Sequence, residues 1–103
     1  MRIFLTPNEG NLLLAVVSTM VASDLAVNKR EFEEVVATLS LLKNELAVNS
    51  YLTIDEHTLP IVDAWLDCAE ELVRDGIDEV EERRRALSVV RSINAKLVKV
   101  ANA

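Results

Sequence analysis

The sequence predicts an all-α fold, a bundle of four main helices, and three observations support this prediction. Half of the 103 residues are hydrophobic, which is enough to build a core. The chain has only two glycines and two prolines, so few of its residues would interrupt a helix. Apolar residues recur at spacings of three and four, the period of a helix with one buried face. A chain of this length is expected to form a single domain, residues 1–103.

The first helix is predicted over residues 7–23. Thr6 and Glu9 have the spacing of a capping box, and Pro7 takes the first helical position, where its missing N–H costs nothing. Residues 11–22 are apolar on nearly every side, so we expect this helix to be largely buried. Its apolar run is shorter than the roughly 20 residues that a transmembrane helix needs, and no transmembrane segment is predicted.

The second and third helices, predicted over residues 29–46 and 56–75, begin with the same local pattern. An apolar residue expected to point inward, Val27 or Ile54, is followed by a capping residue, Asn28 or Asp55. Segments 25–39 and 52–66 match at an offset of 27 residues, either as an internal repeat or because both follow this pattern. The shared pattern is the favoured interpretation, because it requires every matched residue type. An extra turn is expected near residues 46–52.

The fourth helix is predicted over residues 79–100. Gly76 is expected to end the third helix in the left-handed conformation, and Asp78 with Glu81 has capping spacing for the next start. At 1.5 Å per residue this helix is roughly 33 Å long, so its C-terminal end is expected to project from the domain.

The net charge of −6 is unevenly distributed along the chain. All 17 acidic residues and five of the basic ones precede residue 83, whereas the six remaining basic residues follow with no acid among them. The acidic body argues against general nucleic-acid binding, which requires a basic surface. It is complementary to the basic fourth helix, so we expect self-association between copies.

The sequence offers no set of catalytic residues, and no enzymatic activity is expected. A Cys–His pair must lie within hydrogen-bonding distance, but His57 and Cys68 are separated by about 16 Å along one helix. Cys68 is expected to be a small core residue. As a single cysteine it cannot form an intramolecular disulfide, which fits a cytoplasmic location.

Charged side chains on the third and fourth helices are the candidate interaction surface. Clustered carboxylates at helical spacing either form a solvated face or bind a hard cation such as calcium or magnesium. Basic residues without a preceding acid at helical spacing are free to meet an acidic protein or a membrane surface. The candidates are Asp63, Asp67, Glu70, Glu71, Arg91, Lys96 and Lys99.

The stretch "NLLLAVVSTMVASDLAVNKREFEEVVATL", residues 11–39, resembles the first helix pair of the TerB-like tellurite-resistance family of all-helical bacterial proteins. That family has a small-residue apolar helix, then Ala-Asp-Gly, an apolar anchor and a helix that opens with acids. The matching positions are Ala22, Asp24, Val27, Glu31 and Phe32, and the likeness extends to about residue 75. Leu25 stands in the place of the glycine, and Ala26 replaces the usual neighbouring acid.

The resemblance implies a metal site and a role in the stress response. Its divalent cation, calcium or magnesium, would be held by Asp24, Glu31, Asp55 and Glu56, and the protein would associate peripherally with complexes at the membrane. The leading hypothesis is a non-enzymatic, TerB-like interaction or adaptor module that binds a protein partner or a second copy. Two alternatives are a divalent-metal-binding stress-response protein and a phage or plasmid inhibitor whose acidic surface mimics nucleic acid.

Overall fold

The computed structural model describes residues 1–22 and 29–102, and it is mostly helical, as predicted. Each observed helix begins and ends within three residues of its predicted bounds. The structure also has a short two-stranded sheet that is not expected from the sequence, with one strand before α1 and the other after α2. In chain order the elements are β1 (Arg2–Phe4), α1 (Pro7–Ala22), α2 (Lys29–Asn49), β2 (Tyr51–Thr53), α3 (Thr58–Gly76) and α4 (Val80–Ala101).

The sheet takes the place of the extra turn that was predicted near residues 46–52. Helix α2 continues to Asn49, and Ser50, with φ of 60°, turns the chain into β2. Strands β1 and β2 are antiparallel, with Ile3 opposite Leu52, and both of these side chains are buried. Three-residue strands are too short for an alternating pattern to be recognised, so their pairing is visible only once the fold brings them together.

Helix α1 lies between the other helices, contacting α2, α3 and α4. Leu13 is fully buried, and its carbonyl oxygen accepts a 3.0 Å hydrogen bond from Nε1 of Trp65 on α3. This bond satisfies the indole N–H inside the core, where an unpaired donor would be costly. The largest fully buried side chains of the described residues are Trp65, Leu13, Leu39, Leu52, Ile93 and Val62.

The predicted start of α1 is confirmed in detail. The Thr6 backbone N–H donates to the Glu9 carboxylate at 2.8 Å, and the Glu9 N–H donates to Oγ1 of Thr6 at 3.3 Å. Ile54 is buried, as its predicted role requires. Val27 and Asn28, the equivalent residues before α2, lie outside the described residues.

Two predicted details of the α3–α4 connection are wrong. Gly76 is the last residue of α3, but its φ is not positive, and the chain leaves the helix through an extended Ile77. The cap of α4 is Glu79, whose carboxylate accepts from the N–H groups of Glu81 and Glu82, so it lies one residue after the predicted Asp78.

The end of α4 lies against the rest of the molecule. A projecting end is expected from the sequence, but Leu97 is buried and Val100 packs against the core. Within residues 1–22 and 29–102, we find no helix that combines the length and the apolar character needed to cross a membrane.

Candidate interaction surface

Helices α3 and α4 pack against each other and leave a groove of about 130 Å³ open along their outer side. We call it the α3–α4 groove. Its floor is apolar, and its rim carries opposite charges from the two helices. It is lined by Leu66, Asp67, Glu70, Leu87, Val90, Arg91 and Asn94.

A second depression, of about 290 Å³, continues this groove along α4. It shares Leu87 and Arg91 with the α3–α4 groove and reaches the start of the helix at Val80, a side chain that is 53% exposed. Arg83 and Arg84 line it as well. The outer side of α4 therefore combines exposed apolar groups with guanidinium groups, a composition common at protein interfaces.

The structure brings three of the seven candidate surface residues together. Asp67, Glu70 and Arg91 line the α3–α4 groove. Glu70 also forms an ion pair of 2.7 Å with Arg74, one turn later on α3. Asp63, which is exposed on α3, is not among the residues that line the groove. Acid and base thus meet at one place on the surface rather than on separate faces.

Two other candidates fall outside the groove. Glu71 and Lys99 are exposed but are absent from its lining.

Glu71 lies near Cys68, and burial together with this carboxylate raises the pKa of the Cys68 thiol. These surroundings favour the protonated thiol, which is the less reactive form. The Nε2 atom of His57 lies 3.2 Å from Oγ1 of Thr38 on α2.

Lys96 has a different environment from the one predicted. Its Nζ lies 2.5 Å from the carboxylate of Glu9 on α1 and donates to the carbonyl oxygen of Phe4 at 2.9 Å. Five residues separate Lys96 from Arg91, a turn of about 140° around the helix, so the two point to different sides. Lys96 therefore joins α4 to α1 and β1 instead of extending the surface.

The sequence predicts only a capping role for Glu9, yet this side chain is nearly fully buried and accepts further hydrogen bonds. Burial would by itself raise the pKa of Glu9. Hydrogen bonds from Lys96, the Thr6 N–H and the Ser92 hydroxyl outweigh burial and lower it to about 2. Ser92 and Lys96 are more than 80 residues away along the chain, so no local sequence signal identifies them as partners.

The metal ligands that the resemblance implies are described only in part. Asp24 and the side chain of Glu31 lie outside the described residues. Oδ1 of Asp55 accepts from the N–H groups of His57 and Thr58 at 2.8 Å each, which lowers the pKa of Asp55, and Glu56 is exposed beside it. Among the side chains that the structure describes, no group of three or more His, Cys, Asp or Glu is placed to hold a metal ion.

Comparison of the chain with protein-family models, with curated proteins and with solved structures finds no match. The resemblance of residues 11–39 to the TerB-like family therefore stays a prediction from the sequence.

Proposed function

We propose that this chain is a non-enzymatic protein-interaction module whose binding face is the α3–α4 groove together with the exposed side of α4. The observation that supports this most strongly is the concentration of apolar and oppositely charged groups at one place. Val80 and Leu87 offer apolar contact, while Asp67 and Arg91 offer charge of both signs. A partner with the complementary pattern would be held in a single register.

The shape of this face favours a helical segment as the partner. A long, shallow depression beside a helix accommodates the apolar side of a second helix, with residues at spacings of three and four filling it. Exposed apolar side chains with arginines between them provide the contacts for such a segment. Membership of the TerB-like family is part of this proposal and rests on the sequence of residues 11–39 alone.

Affinity capture from the source cell, with matched charge-reversal variants, tests the proposal. Asp67→Lys alters the groove, whereas Asp63→Lys makes the same change four residues earlier on α3, at a position that does not line it. We expect a specifically bound protein to be lost with Asp67→Lys and with Arg91→Glu, and to be retained with Asp63→Lys. The same set of bound proteins for all three variants would overturn the proposed binding face.

A further inference from the structure

Six residues of α4 form a continuous stripe on its outer side. They follow one another at intervals of four and three, which keeps them within about 80° of arc on a helix. Val80 is 53% exposed and Val98 is 47% exposed, and the Arg84 side chain is 72% exposed. We call these residues the α4 stripe: Val80, Arg84, Leu87, Arg91, Asn94 and Val98.

The spacing of the α4 stripe is the same in both directions about residue 89. When two such helices lie antiparallel, Val80 of one copy falls opposite Val98 of the other, and this contact occurs at both ends. Arg84 falls opposite Asn94, whose side-chain oxygen can accept from a guanidinium. A two-fold symmetric pair requires this self-complementarity of one surface.

Charge complementarity across the pair comes from the α3–α4 groove. Asp67 and Glu70 lie beside α4 at the level of Leu87 to Asn94. At that level an antiparallel second copy presents its own Arg91 and Arg84. Each groove thus receives two guanidinium groups, and its acids offset the repulsion between the two Arg91 side chains, which lie about 6 Å apart along the axis.

The residues beside the stripe allow close approach. Ser88 and Ala95, which directly follow Leu87 and Asn94 of the stripe, are exposed and have small side chains. Short side chains at such flanking positions let two helix axes come together without a steric clash.

We infer that the α4 stripe binds the same stripe of a second copy of this chain, as an antiparallel, two-fold symmetric helix pair that places arginines over the partner's α3–α4 groove. The inference rests on the proposed function and names the second copy as the occupant of that face. The stripe is roughly 27 Å long, so the interface is small and a dissociation constant in the micromolar range is expected.

Sedimentation equilibrium on the full chain, between about 5 and about 500 µM, measures this dissociation constant directly. We expect Val80→Glu and Val98→Glu each to weaken dimerisation at least about tenfold. In a two-fold pair each substitution occurs in both copies, so it places a carboxylate in the apolar contact at each end of the interface. Val48→Glu is the matched control, since Val48 is 80% exposed on α2 and lies off the stripe. A monomer at all concentrations, or equal dimerisation of the three variants and the wild type, would overturn the inference.

A pair of charge-reversal variants tests the antiparallel register, because the two variants are compared alone and as a mixture. Arg84→Glu and Asp67→Lys should each be mainly monomeric alone, because each sets like charges against one another in the two-fold pair. Mixed in equal amounts they should form a heterodimer. In that pair the carboxylate introduced into one copy meets the ammonium group introduced into the other, while the second groove keeps its native charges.

Two outcomes of this test separate the register from the binding face. No association of the mixture would overturn the proposed register. If self-association fails while capture of another protein remains sensitive to Asp67→Lys, the second copy is the wrong occupant and the proposed binding face stands.

Discussion

The carboxylate of Glu9 lies 2.5 Å from the ammonium group of Lys96, although 87 residues separate them along the chain. The contact joins the first turn of α1 to the last third of α4. Lys96 also donates to the carbonyl oxygen of Phe4, so the same ammonium group holds β1. Glu9 in turn accepts from the Thr6 N–H and the Ser92 hydroxyl. Strand β1 and helices α1 and α4 are therefore joined through a nearly buried carboxylate.

Lys96→Met is expected to destabilise the protein by about 2 kcal/mol. The substitution keeps most of the apolar stem but leaves a buried carboxylate without its cation. The cost is below the roughly 3 to 5 kcal/mol of fully buried pairs because the Lys96 side chain is 36% exposed and water can reach the site. Urea unfolding followed by circular dichroism measures the change. Lys99→Met, at an exposed position on the same helix, should stay within about 0.5 kcal/mol of the wild type. Equal effects of the two variants would contradict the structural role of the ion pair.

Stability should fall in acid because of Glu9. Its pKa is about 2 in the folded chain and about 4.5 when unfolded, so the unfolded chain binds this proton more readily. The resulting stabilisation, on the order of 3 kcal/mol, is fully present above pH 4.5 and is lost as the pH falls towards 2. The difference between the wild type and Glu9→Gln isolates the contribution of this one carboxyl group. The two free energies of unfolding should converge between pH 4.5 and 2; a constant gap would exclude this linkage.

The parts of the fold that the sequence predicts are those with a local cause. The capping box at Thr6 and Glu9 and the buried Ile54 depend on neighbours within a few residues, and both are confirmed. The bounds of the four helices follow from capping residues and apolar spacing in the same way. Local chemistry therefore accounts for the approximate bounds of the helices, although the cap of α4 is Glu79 and not the predicted Asp78.

The parts that the sequence does not predict depend on distant neighbours. Lys96 looks unpaired because no acid precedes it at helical spacing, yet α1 brings Glu9 to it. Strand β1 forms because residue 52 lies next to residue 3, a pairing with no local signal. In the candidate surface, the joining of Asp67 and Arg91 in one groove requires the packing of α3 on α4, which charge counting cannot provide.

Asp55 is expected to stabilise the turn that leads into α3, which begins at Thr58. Its carboxylate accepts from the N–H groups of His57 and Thr58, and Oγ1 of Thr58 accepts from the Asp55 N–H at 2.9 Å. Asp55→Ala should lower the Tm. Asp55→Asn should have a Tm close to that of the wild type, because the amide oxygen can still accept both hydrogen bonds. Glu56→Ala is the control at the adjacent exposed position.

Calorimetric titration of the same variants with calcium separates this structural role of Asp55 from the role of metal ligand that the resemblance implies. If the wild type binds calcium with measurable heat and both Asp55 variants do not, the metal-ligand hypothesis is favoured over a purely structural role for Asp55.

Within residues 1–22 and 29–102, a left-handed helix end lies at Ser50 rather than at Gly76. Ser50 has φ of 60° and its N–H donates to the Leu46 carbonyl oxygen, which is the geometry that glycine most readily adopts after a helix. Gly76 has a negative φ, and a Cβ added to it would meet nothing within 4 Å. Ser50→Gly should therefore relieve backbone strain, and Gly76→Ala should reduce the conformational entropy of the unfolded chain. Each is expected to raise the free energy of unfolding by about 0.5 to 1 kcal/mol, with near-additivity in the double variant. If Gly76 had the left-handed conformation that the sequence predicts, Gly76→Ala would instead lower the free energy of unfolding. A loss of stability in this variant would therefore support the left-handed conformation.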